Sequence, residues 1–157
     1  MAVYEATVRS TSIPPGGTYN ILFTVGQVPA IFYNRTVGFS GTAGDAVVYE
    51  APEGITGGVD VVPYITDQTD LQVNRGQMYA GVSVTSPGTQ RSARSYYRGS
   101  GGPGPSIVGT YSSAAGSRRL KPQTAYILQF TNSDASAQVI DLYFRWYEGP
   151  QEHPGGV

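Results

Sequence analysis

The chain has 157 residues, a net charge of −1, no cysteine and a single histidine. That length suits one domain with a real hydrophobic core, the missing cysteines exclude disulfides and thiolate metal sites, and 21 glycines with 11 prolines exclude an architecture of long helices. No apolar run approaches membrane-spanning length, the opening MAVYEATVRS lacks the basic-then-apolar pattern of a signal peptide, and a cysteine-free chain of this loop content suits assembly in a reducing cytoplasm.

Taken in order, the segments alternate with a period of two. Residues 1–10 set Tyr4, Ala6 and Val8 against Glu5, Thr7 and Arg9, and Ile13-Pro14-Pro15-Gly16-Gly17 is a turn. Residues 18–25 place Tyr19, Ile21, Phe23 and Val25 on one face. Residues 30–39 set Ile31, Tyr33, Arg35 and Val37 against Phe32, Asn34, Thr36 and Gly38. Short strands are expected at 45–51 and 59–64, with Pro63 marking an edge or a bulge. Residues 78–85 set Met78, Ala80, Val82 and Val84 against Tyr79, Gly81, Ser83 and Thr85. The stretch 86–117 is rich in Gly, Ser, Arg and Tyr; only 106–111 within it reads as strand, and the rest is expected to be an irregular loop or arm.

The strongest pattern lies at 120–148. Tyr126, Leu128 and Phe130 share one side of a first strand, and Ile140, Leu142, Phe144 and Trp146 share one side of a second. Thr131-Asn132-Ser133-Asp134-Ala135-Ser136 between them is a turn-forming run, so the pair reads as a β-hairpin carrying the only tryptophan. These seven side chains are the expected core. The whole reads as all-β: a jelly-roll-like β-sandwich of about eight strands in one domain over 1–148, with 149–157 a flexible tail.

Chemistry is scarce. His153 sits between Glu152 and Pro154 in the tail, where a general base has no fixed position. No spacing selects a pair among the eleven carboxylates. Asp67 and Asp70 have oxygens suited to calcium, but polar loop residues are the simpler reading. Gly99-Ser100-Gly101-Gly102-Pro103-Gly104 lacks the lysine and following helix of a phosphate loop. An enzyme is therefore not expected, nor any cofactor or metal.

One cluster stands out. Arg91, Arg94 and Arg98 flank Tyr96 and Tyr97, and Arg118 and Arg119 bound the far side of the loop. Basic residues among aromatics can hold nucleic acid, but the acidic balance of the chain argues against it. Arg and Tyr are also the favoured anchors of protein interfaces, and these seven residues are the expected partner-binding set, with solvated loop arginines as the blander reading.

Leu120-Lys121-Pro122-Gln123-Thr124-Ala125-Tyr126, then Thr131-Asn132, then Trp146-Tyr147-Glu148 is similar to the C-terminal LKPxTxY…TN…WYE pattern of a group of small tailed-phage virion proteins. Val47-Val48-Tyr49-Glu50-Ala51-Pro52, Gly57-Gly58 and Val61-Val62-Pro63-Tyr64 resemble an upstream segment of the same group. The resemblance covers 46–64 and 120–148. Residues 1–45 match only in general character, and the 86–117 stretch has no counterpart. It implies a capsid decoration, or cement, protein on the virion surface, made in the host cytoplasm. Its partners would be the major capsid protein and further copies of itself, as dimer or trimer, with neither membrane nor nucleic acid. The alternative is a virion-surface or tail-associated glycan-binding module using Tyr96, Tyr97 and Tyr111.

Overall fold

The computed structural model describes residues 2–66, 76–98 and 118–149 and the backbone of 106–108; Asp67, Asp70, Tyr111, His153 and the run from Gly99 to Gly104 lie outside the described residues. Eight strands of six residues or more carry the fold: β1 (Val3–Arg9), β2 (Thr18–Thr24), β3 (Ala30–Phe39), β4 (Ala43–Glu50), β5 (Thr56–Val61), β7 (Gln77–Ser83), β12 (Ala125–Asn132) and β13 (Ile140–Glu148). Short strands extend the edges: β6 (Tyr64–Ile65), β8 (Thr89–Gln90), β9 (Ser95–Arg98), β10 (Ser106–Val108) and β11 (Arg118–Leu120). They form two sheets, in the orders β10-β3-β13-β1-β6, with β11 also on β3, and β5-β7-β2-β12-β4-β8, with β9 also on β4. All pairings are antiparallel. The expected β-sandwich is the fold, with more strands than the expected eight; β10 falls in the 106–111 stretch read as strand, and the other short edge pieces are too brief for alternation to announce.

The core lies between the sheets. On one side Tyr4, Ala6 and Val8 of β1 pair in register with Trp146, Phe144 and Leu142 of β13. On the other, Tyr126 and Leu128 of β12 pair with Phe23 and Ile21 of β2. Trp146 is 0% exposed. It stacks on Phe32 at 5.1 Å between ring centroids and takes Phe23 edge-on at 5.5 Å, geometries that add about 0.5–1.5 kcal/mol per pair beyond burial. All seven expected core residues join this cluster, Leu128 only partly buried.

The expected hairpin is not one. β12 lies between β2 and β4 in the seven-stranded sheet, and β13 lies between β1 and β3 in the six-stranded sheet. The connection at 133–139 is an arch from one layer to the other. In opposite sheets the two apolar rows cover each other across the core. The arch is held by buried amides. Asn132 Nδ2 donates to Ile13 O (2.8 Å) and to Ser136 O (2.9 Å), and Gln138 Nε2 donates to Ala43 O (2.7 Å) and to Asn132 Oδ1. Asp134 closes it by accepting from Thr42 N (2.8 Å), the first cause of its depressed carboxyl pKa.

Two bulges break the alternation read from sequence. In β3 the register with β13 skips Tyr33: Arg145 faces Asn34 and Trp146 faces Phe32. Phe32 is inward before the bulge and Arg35, Val37 and Phe39 after it, which brings a guanidinium beside Phe144. In β7 the extra residue is Gly81, whose φ of +73° is open to glycine at little cost. Met78 and Ala80 stay in the main core, but Val82 joins Leu22 and Ile127 in a second cluster on the outer face of the sheet. Ile127 and Tyr147, which alternation puts opposite the inward rows of their strands, are also buried, Ile127 with Tyr49 and Tyr79 packed on its cluster.

Pro63 sits where the chain leaves one sheet for the other. β5 ends the seven-stranded sheet and β6 ends the six-stranded one, as expected for an imino acid that cannot donate to a ladder.

Candidate functional site

The stretch read as an irregular loop begins as an ordered border. Arg91 N donates to Val48 O (2.8 Å), Val48 N donates to Ser92 Oγ (2.8 Å), and β9 pairs with the first half of β4. The arginines here are therefore held against β4, which has its own reason to need them.

Ala46, Val48 and Glu50 share the inward face of β4, so alternation turns a carboxylate toward the core at the strand end. A nearly buried carboxylate must be paired. Glu50 Oε1 accepts from Lys121 Nζ (2.9 Å) and Tyr126 Oη (3.1 Å), and Oε2 from Arg91 Nη2 (2.7 Å) and Nε (2.8 Å). Lys121 and then Arg91 hold its pKa down at about 2. Asp45, also buried, takes Arg94 in an ion pair and Ser133 Oγ at 3.2 Å.

These contacts sort the predicted site residues. Arg91 and Arg94 are ion-paired to carboxylates of the fold. Tyr97 is buried, with its ring 6.5 Å from Phe39 and its hydroxyl accepting from Arg35 Nη2 (2.8 Å). Tyr96, its neighbour on the other face of β9, is 76% exposed, so the two tyrosines expected to act together point apart. Arg98, Arg118 and Arg119 are exposed. Arg118 Nη1 donates to Arg91 O (3.3 Å), which closes the β11 edge toward the β8–β9 edge. Of the seven, Tyr96, Arg98, Arg118 and Arg119 are exposed along one side of the sandwich without an ion pair to Glu50 or Asp45. Glu50, Asp45 and Lys121 were missed as a site. The available signal was the inward parity of Glu50, a charge on an otherwise apolar row.

A second concavity lies at the opposite side, where β5 and β6 end the sheets. It is an open groove of about 510 Å³ lined by Tyr19, Tyr64 and Tyr143 with Glu5, Arg9 and Asp60. Tyr143 Oη donates to Glu5 Oε2 (2.6 Å), and burial together with this bond pushes its pKa up to about 12. Val59, Val62 and Tyr64 are exposed beside it.

Among the described residues no group of three His, Asp or Glu side chains is placed to hold a metal ion. No helix among them is long and apolar enough to cross a membrane. No protein-family model and no curated protein matches the chain.

Proposed function

We propose that this chain is a bacteriophage structural protein that decorates the capsid exterior and stabilises it by bridging neighbouring major capsid protein subunits. The observation that carries this reading is the meeting of the two stretches that resemble the phage virion group. Glu50 of the upstream stretch is bound by Lys121 and Tyr126 of the LKPxTxY stretch. At the other end of the pattern, Trp146 Nε1 donates to Glu148 Oε1 (3.3 Å), as does Gly76 N (2.9 Å). The resembling residues thus form the frame of one sandwich. The role needs no catalytic group, and many weak copies on one shell add through avidity.

The contact surface in this reading is Tyr96, Arg98, Arg118 and Arg119, with homo-oligomers of two or three copies presenting it. Co-sedimentation with empty, expanded heads lacking the protein tests it. Saturable binding in fixed ratio to the shell protein, weakened by replacing Arg98, Arg118 and Arg119 with alanine, is the expected result; absence of binding removes the role.

The tyrosine-lined concavity favours one second reading, a virion-surface or tail-associated glycan-binding module. Aromatic faces with polar groups between them are the usual composition of small-ligand sites. Its site would be Tyr19, Tyr64 and Tyr143 rather than Tyr96 and Tyr97. Binding to host cells or glycans by the isolated protein, lost in Tyr64→Ala, would support it.

A further inference from the structure

One edge of the six-stranded sheet is open where β1 runs past β6. In an antiparallel ladder alternate residues turn their N–H and C=O groups to opposite neighbours. Ser10 N donates to Ile140 O and Thr66 N donates to Val3 O. These bonds fix the alternation: Tyr4, Ala6 and Val8 bond toward β13, and Val3, Glu5, Thr7 and Arg9 turn toward the outer edge. β6 and Thr66 cover that edge at Glu5 and Val3 only. Thr7 and Arg9, both exposed, therefore turn backbone groups outward that meet no partner among the described residues.

The open groove of about 510 Å³ runs along this edge, lined by Thr7 and Arg9 of β1 and by Val59, Asp60, Val62 and Tyr64 of the crossing from β5 to β6. Four of the five large apolar side chains exposed among the described residues, Ile55, Val59, Val62 and Tyr64, lie within 55–64. Apolar surface is thus gathered beside the unpaired backbone rather than scattered. The charges lining the groove leave one uncommitted. Glu5 accepts from Tyr143, and Arg9 is paired with Asp141; Asp60 is exposed and has no ion pair among the described residues.

Unpaired ladder groups flanked by apolar side chains are what an added strand uses: backbone bonds give affinity and alternate side chains give specificity. We propose that this groove docks an extended segment of a partner protein, antiparallel to β1 and in line with β6. Its backbone bonds to Thr7 and Arg9, its apolar side chains cover Val59, Val62 and Tyr64, and one basic side chain meets Asp60. A single strand fits between β1 and the 59–64 crossing, whereas the edge of a second sandwich would bring two layers. The proposal goes beyond the capsid reading, whose contact surface lies on the opposite side, and gives the groove an occupant other than a glycan.

The probe is the capped peptide Thr-Val-Lys-Val-Thr, compared with the same peptide carrying Glu for Lys and with the Lys peptide N-methylated at alternate amides. Binding to the full chain is followed by calorimetry, and hydrogen exchange at the Thr7 and Arg9 amides by NMR. The expected result is saturable binding of one Lys peptide per chain with slowed exchange at both amides. The Glu peptide should bind about tenfold more weakly, and the N-methylated peptide should not bind at millimolar concentration. Asp60→Asn should remove the preference for Lys over Glu. Thr7→Pro, which deletes an N–H that bonds nothing in the fold, should weaken both charged peptides by about tenfold. Asp60 is exposed, so its variant answers even if Thr7→Pro folds poorly. Absence of Lys-peptide binding at millimolar concentration, binding without slowed exchange at Thr7 and Arg9, or equal binding of the N-methylated peptide would overturn the proposal. So would slow exchange at both amides in the free chain that is lost on dilution, since a second copy would then fill the groove.

Discussion

Single charges decide more in this molecule than their number suggests. Glu50 is held by Lys121, Arg91 and Tyr126, so its folded pKa of about 2 lies below the ordinary 4.5. A depressed carboxyl pKa contributes stability that is present above pH 4.5 and is lost as pH falls through about 2. Glu50→Gln should therefore lower the melting temperature at neutral pH and flatten the loss of stability between those two values, as thermal scans across pH would show. The rim arginines divide in the same way. Arg94→Ala removes the partner of a buried Asp45 and should destabilise, whereas Arg98→Ala should stay within about 0.5 kcal/mol of the parent, as for a surface substitution. Chemical denaturation of both variants checks the contrast. Equal effects would show that the Arg94–Asp45 pair contributes nothing beyond a solvated charge.

At the level of elements, the controlling feature is the arch between β12 and β13. Its seven residues carry the chain from one layer to the other, and the amide of Asn132 bonds across it to Ile13 and along it to Ser136. Asn132→Ala leaves those carbonyls and the Gln138 amide short of partners in a buried place. A loss of about 1–3 kcal/mol is expected, measured by denaturant midpoint with unchanged slope. A changed slope would mean that the arch had opened rather than merely weakened. The two bulges act at the same scale. Each shifts inward parity by one residue, which moves Arg35 inward and Val82 outward. Alternation over 30–39 and 78–85 locates both strands but not the skipped residue, because one extra residue leaves the composition of each half unchanged.

For the molecule as a whole, Trp146 is the centre around which both sheets close, packing with Tyr4, Phe23 and Phe32 from three other strands. Trp146→Ala should cost about 3–5 kcal/mol, read by calorimetry; a near-neutral result would mean that the core collapses into the vacated space. The first strand pairs along its length with the last, Val3 opposite Tyr147 and Arg9 opposite Asp141. Such long closures slow folding, so refolding followed by Trp146 emission should fall in the range of milliseconds to seconds; a microsecond phase carrying the full amplitude would contradict this. The sequence by itself determined the class, the long strands and the seven core side chains, because period-two burial and composition are local properties of the chain. Only the tertiary structure decided that 125–132 and 140–148 face each other across the sandwich instead of pairing. It also decided that Arg91, Arg94 and Tyr97 serve the fold while Tyr96 and Arg98 face outward. Those outcomes depend on which apolar row covers which, and on which distant carboxylate lies within reach of each cation, and neither is written in the spacing of neighbours along the chain.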